Sequence, residues 1–137
     1  MDAQFSIPYT FATAFLTGGV ALADFADGAL TRPDVLALAA RVRARVDPEV
    51  DARESRDVSP ASATVTLRDQ STRTVRVWWP RGRGDRPMTR DDILRKFHDC
   101  CAHAGRSREF ADRVADIVLT GGADAAGHLC ELLRRPA

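Results

Sequence analysis

The sequence predicts an α+β fold: a small antiparallel sheet, made of a hairpin plus one further strand, with helices packed on one face and a helical C-terminal third. Three observations predict it. Apolar residues recur at helical spacing near both ends, from Ile7 to Leu16 and from Ile93 to Leu133. Between them, from Arg41 to Trp79, the pattern turns to strict alternation in three runs. Helical and alternating segments are segregated along the chain, the order of an α+β protein with one sheet.

The opening stretch "FSIPYTFATAFLTGG" reads as a helix. Ser6 can cap it, Pro8 is tolerated in the first turn, and Gly18-Gly19 ends it. Ile7, Phe11, Ala14 and Phe15 form one face, and Tyr9, Ala12 and Leu16 populate another. A helix apolar around most of its circumference requires covering on more than one side. A short helix through "ALADFADG" is expected next, closed by Gly28. "TRPD" marks another start, with Thr31 as cap, Pro33 in the first turn and Asp34 near the positive end of the dipole; Val35, Leu38 and Ala39 face inward.

"RVRARVD" alternates Val42, Ala44 and Val46 against Arg41, Arg43 and Arg45, and predicts a strand broken by Asp47-Pro48. Residues 49–60 read as a charged loop. "ASATVTLRD" and "TRTVRVWWP" flank a turn near Asp69-Gln70-Ser71 and predict a hairpin, with Val65 and Leu67 sharing a face with Val75, Val77 and Trp79. "PRGRGDRP" is a loop. Thr89 with Asp92 repeats a capping pattern before a helix carrying Ile93, Leu94, Phe97 and Cys101 inward. Gly105 stops it, Ser107 caps a helix with Phe110, Val114, Ile117 and Val118 inward, and a last helix after Gly121-Gly122 carries Leu129, Leu132 and Leu133.

The 137 residues are read as a single domain, 1–137. Twenty basic residues, all but Lys96 arginine, face 19 acidic ones. With no global basic field, nucleic acid is not an expected partner. Asp2 stands where an export signal wants positive charge, and the apolar run falls short of the roughly 20 residues of a membrane span. No membrane association is expected, and the three cysteines, two of them adjacent, fit reduced thiols in a cytoplasmic protein.

The ordered set "FSIPYTFATAFLTGGVALADF", "RPDVLALAARVRARVDPE", "PASATVTLRDQSTRTVRV" and "PRGRGDRPMTRDDILRKFHDC" resembles the C-terminal part of MmgE/PrpD proteins, collinear from about Gln4 onward. That family includes 2-methylcitrate dehydratase, cis-aconitate decarboxylase and iminodisuccinate epimerase. The resemblance implies a lid-type module that works with a large helical domain. The reaction class would be dehydration, decarboxylation or epimerisation of a small di- or tricarboxylic acid, without metal, nucleotide or other cofactor. It also implies that the acid–base residues come mainly from the helical domain and from segments preceding this match. No catalytic residue is carried onto this chain. A separately encoded helical-domain chain is the expected partner, and the isolated chain is expected to be inactive. The alternative is a stand-alone homo-oligomeric binding or scaffold protein, or a repurposed enzyme with a pocket at the subunit interface. Where the family turn after "LRD" holds glycine, this chain has Gln70, which predicts a longer turn or one of another type.

Candidate substrate contacts are Ser6 and Tyr9, at a helix start where unpaired amides suit a carboxylate, and Arg81, Arg83 and Arg86, whose forks suit the same group. Candidate interface residues are Phe11, Phe15 and Trp78. His98, Cys100, Cys101 and His103 sit close in sequence, but adjacent cysteines diverge on a helix and no metal site is expected.

Overall fold

The computed structural model describes residues 2–52 and 60–134, and the chain forms two compact units, residues 1–43 with 90–137 and residues 44–89. The first unit opens with helix α1 (Ile7–Thr17). Ser6 Oγ accepts the Tyr9 amide at 3.3 Å, which starts the helix, and the Gly18 amide donates to Ala14 O at 2.9 Å as it ends. A 3-10 turn (Leu22–Phe25), one turn of helix α2 (Asp27–Leu30) and helix α3 (Pro33–Ala39) follow, and α3 packs along α1. Tyr9, Ala12 and Val35 are buried together, with Phe25, Leu30, Leu38 and Ala39 closing around them. The Tyr9 and Phe25 rings meet at 6.1 Å with a 46° tilt.

Two expectations about this region are corrected. The helix through residues 21–28 is broken into two turns, because Asp24 Oδ2 folds back to accept the Ala21 amide at 2.8 Å; Gly28 lies inside α2 and does not close it. Thr31 does not cap α3 either. Its hydroxyl donates to Gly28 O at 3.1 Å, and Arg32 takes the cap position.

The strand expected over residues 41–47 is absent: among the described residues the sheet has two strands. The Arg41 and Val42 amides donate to Leu38 O and Ala39 O, so the start of the alternating run is spent closing α3. Residues 43–47 form neither helix nor strand. Alternation reports which way side chains point and not whether a neighbour is present to pair with.

The second unit holds helix α4 (Pro48–Asp51), one turn at the start of the expected loop, and strands β1 (Ala61–Thr66) and β2 (Thr72–Val77). The rest of that loop, residues 53–59, lies outside the described residues. The strands pair antiparallel with Ala63 opposite Val75, Val65 opposite Arg73 and Ala61 opposite Val77. Val65, Val75 and Val77 therefore share a face as expected, while Leu67 and Trp79 lie beyond the strand ends. Thr64 and Thr74 hydroxyls join on the opposite face at 2.8 Å. Arg76 Nη1 donates to Glu49 Oε2 at 3.0 Å, and Nη2 lies 3.8 Å from Asp47 Oδ2, tying the α4 turn to the hairpin.

The chain then re-enters the first unit through helices α5 (Arg90–His103), α6 (Arg108–Thr120) and α7 (Ala125–Arg134). α5 packs against α6 and the 3-10 turn, and α6 against α7. α5 ends in a left-handed Gly105 (φ +71°), with the Arg106 amide returning to Cys101 O at 2.8 Å and the Gly105 amide to Ala102 O at 3.0 Å. Ser107 Oγ then accepts the Phe110 amide at 3.1 Å and starts α6. Cys101, Ala111, Val114 and Leu132 are buried. Ile93, Val118 and Leu133, expected inward, are exposed. They flank the buried stripe by one position along each helix, and three packed helices bury a narrower arc than the apolar residues span.

The fold is thus α+β, with a two-stranded antiparallel sheet and a helical C-terminal third. Among the described residues no helix is long and apolar enough to cross a membrane.

Candidate functional site

The most heavily built surface feature is the segment after β2. Residues 80–87 close into a tight knot: the Gly82 amide donates to Arg86 O at 2.6 Å, Arg83 to Pro80 O at 3.2 Å and Arg86 to Arg83 O at 3.1 Å. Gly82 and Gly84 are left-handed, and a Cβ on Gly84 would stand 2.6 Å from Trp79 Cγ. The indole therefore lies directly on the loop backbone, an approach only glycine permits. Arg86 Nη1 donates to Trp79 O at 3.3 Å, closing the other side. Arg83 and Arg86 face each other as an isolated antiparallel bridge. The structure thus brings Arg81, Arg83 and Arg86 together on one short ordered loop, all three exposed.

Trp78 is half-buried, with the Arg76 guanidinium 5.2 Å from its ring centre. Trp79 is the more open of the two rings, 38% exposed. β2 ends at Val77, so alternation no longer governs which of the two indoles faces out.

At the start of α1, Ser6 is half-buried and engaged with the Tyr9 amide. Tyr9 runs inward: its hydroxyl donates to Asp24 O at 2.6 Å and also lies 3.2 Å from Ala29 O. Ser6 and Tyr9 share one helix start, but their side chains go to the amide ladder and the core. The opposite face of α1 is apolar and open. Phe5 is 82% exposed, Ile7 62% and Phe15 53%, and half-buried Phe11 stacks on Phe15 at 6.2 Å between ring centres. α1 carries no charged side chain to break this stripe.

The His/Cys segment of α5 is dispersed. Cys101 is buried, Cys100 and His103 are exposed, and His98 Nε2 lies 3.0 Å from Asp112 Oδ1 on α6 without hydrogen-bond alignment. Arg108 Nε shares the same carboxylate at 3.0 Å. Among the described residues no three His, Cys, Asp or Glu side chains gather as a metal site.

Two carboxylates are shifted by specific contacts. The Arg32 fork bonds both Asp34 oxygens, at 3.2 and 2.7 Å, which holds the Asp34 carboxyl below its ordinary range and raises Arg32 in turn. The Ser71 hydroxyl and amide donate to Asp69 Oδ1 at 2.6 and 3.0 Å and hold that carboxyl low as well.

The Trp79–Gly84 contact and the Arg32–Asp34 fork are invisible to periodicity. The Gly-rich spacing of "RGRGD" was the one available signal for the first, and the two-residue offset of opposite charges for the second.

No curated protein is significantly similar to the chain. The model of the MmgE/PrpD C-terminal domain matches residues 1–120, which takes in every element from α1 through α6 and leaves α7 outside. The chain belongs to the MmgE/PrpD family, through that C-terminal domain.

Proposed function

We propose that this chain is the C-terminal module of an MmgE/PrpD-type enzyme and supports dehydration, decarboxylation or epimerisation of a small di- or tricarboxylic acid in company with a helical domain. The observation that carries this reading is the open stripe of α1 and the residue just before it: Phe5, ahead of α1, and Ile7 and Phe15 on it are each more than half exposed, beside Phe11. Isolated exposed apolar residues are ordinary, but a contiguous uncharged run of this kind marks a surface that another body covers. Fully burying a side chain of this size is worth roughly 1.5–3 kcal/mol, so covering the stripe offsets a substantial part of the cost of association.

In this reading the helical domain lies on the Ile7–Phe11–Phe15 stripe and supplies the proton donors and acceptors, which general acid–base chemistry beside a carboxylate requires. Ser6 and Tyr9 act as positioning residues, holding the start of α1, while Arg81, Arg83 and Arg86 meet substrate carboxylates. Trp78 belongs to the hairpin's contact surface. No metal or other cofactor is invoked.

The test is a turnover assay of the purified chain on 2-methylcitrate, cis-aconitate and iminodisuccinate, with and without the helical domain of an MmgE/PrpD enzyme. Turnover is expected only in the mixture. Turnover by the chain alone, or a stable homodimer that stays inactive in the mixture, overturns the proposal.

A further inference from the structure

We infer that β1 is a self-association edge: it pairs antiparallel with β1 of a second copy of this chain, joining two two-stranded hairpins into one continuous sheet.

The parity of the hairpin says which groups are on offer. The Leu67 amide donates to Ser71 O, and the register puts Leu67 in step with Ala61, Ala63 and Val65. Hydrogen-bonded and non-bonded pairs alternate along an antiparallel ladder, so the main chains of Ala61, Ala63 and Val65 face β2, while those of Ser62, Thr64 and Thr66 face away from it. Among the described residues no backbone group bonds to these three outward positions. An unpaired row of amides and carbonyls is a template for another strand.

The two edges are guarded differently. β2 carries Arg73 and Arg76, and Arg76 is already committed to Glu49 and Asp47 of its own chain. Pairing β2 with its copy would bring both Arg73 side chains onto one short ladder. β1, "ASATVT", holds no charge and no proline, and its register runs without a bulge. Those are the devices that keep an edge from pairing, and β1 has none of them.

The occupant that fits β1 is β1 itself. Antiparallel pairing of identical strands is two-fold symmetric, so the edge must be complementary to itself. With Thr64 on the axis, Thr64 faces its copy, Ser62 faces Thr66, Ala63 faces Val65 and Ala61 faces Leu67. Outward main chains then meet outward main chains, and donors meet acceptors. The side chains match as well, since Ala63 and Val65 lie on one face and Ser62, Thr64 and Thr66 on the other. Thr64 already shares a hydroxyl hydrogen bond with Thr74 at 2.8 Å, and pairing at Thr64 continues that row across the axis. Arg68 falls opposite Pro60, whose missing N–H ends the ladder, so no like charges are opposed. The wider sheet also extends an apolar face that a lone hairpin leaves open, with Val75 63% exposed and Leu67 38%.

The test is sedimentation equilibrium of the full chain over a range of concentrations, with hydrogen exchange read along β1. A reversible monomer–dimer equilibrium is expected. On dimerisation the Ser62, Thr64 and Thr66 amides are expected to slow at least tenfold, and the Ala63 and Val65 amides to change little. Thr64→Lys sets two cations on the axis and Thr64→Glu two anions, and each is expected to weaken the dimer at least tenfold. An equimolar mixture of the two is expected to recover it. Thr74→Lys, which removes the same hydroxyl pair from the other edge, and Phe15→Asp, which places a charge on the α1 stripe, are expected to dimerise like the parent. A chain that stays monomeric, a dimer unmoved by Thr64→Lys, a mixture that does not recover it, or a dimer lost with Thr74→Lys or Phe15→Asp overturns the proposal. No outcome involves turnover or a helical domain, so this inference and the enzyme reading fail separately.

Discussion

The Tyr9 hydroxyl donates to the carbonyl oxygen of Asp24 at 2.6 Å, and so joins α1 to the 3-10 turn that precedes α2. Its second neighbour, Ala29 O at 3.2 Å, lies in α2 itself. One buried phenol therefore organises three successive elements of the first unit.

Tyr9→Phe leaves the ring packing on Phe25 intact but strips the donor from two partly buried carbonyls. A loss of about 1–2 kcal/mol in unfolding free energy is expected, read by urea denaturation. Tyr9→Ala, which also removes the ring from the core, is expected to lose about 3–5 kcal/mol.

Gly84→Ala sets a methyl where Trp79 already lies, at a φ of +60°. Adverse backbone conformation and overpacking each contribute about 1–2 kcal/mol. The variant is expected to release the indole from the loop and to speed hydrogen exchange at the Gly82 and Arg86 amides. Unchanged exchange and an unchanged Trp79 indole signal would contradict the contact.

Gln70 is the one residue other than glycine with positive φ among those described, at +65°. The Gln70 amide donates to Leu67 O at 3.1 Å and the Leu67 amide to Ser71 O at 2.8 Å, the pattern of a three-residue hairpin loop whose last position is left-handed. Gln70→Gly relieves the left-handed strain at some cost in unfolded-chain entropy, for an expected gain of up to about 1 kcal/mol. Gln70→Val is expected to destabilise the hairpin. Thermal melts of the two variants are expected to move in opposite directions.

Asp69 supplies a pH dependence with a definite sign. Its carboxyl is held low in the folded chain, first by the Ser71 hydroxyl and then by the Ser71 amide. The stabilisation is complete above the ordinary carboxyl range and disappears as pH falls through the lowered folded value. Carbon-detected NMR is expected to show Asp69 titrating below the ordinary aspartate range, and the Ser71 amide losing protection in the same interval. Ser71→Ala is expected to move the Asp69 midpoint upward.

Much of this architecture was legible because its signals are local. Ser6, Gly18, Gly105 and Ser107 cap or terminate helices through atoms within a few residues of themselves, and the hairpin's two faces follow from alternation alone. The misreadings arose where the deciding atom lay elsewhere. The Arg41–Val46 run alternates as a strand should, yet no described segment pairs with it. Asp24 and Thr31 spent their side chains on nearby backbone and moved the expected helix ends. In α1, apolar residues on both sides left pattern unable to choose a core face; packing against α3 chose Tyr9 and Ala12 and left Phe15 outside. The arginines of residues 80–87 were visible as a cluster, but the Trp79 contact that fixes their loop was not.

The central claim is that a helical domain covers the α1 stripe, and sedimentation of the full chain mixed with the helical domain of an MmgE/PrpD enzyme tests it most directly. The account predicts a one-to-one complex that weakens at least a hundredfold with Phe15→Asp or Ile7→Asp, both at positions already more than half exposed, while Phe25 and Tyr9 signals stay unchanged. No complex, or a complex indifferent to both substitutions, would contradict it.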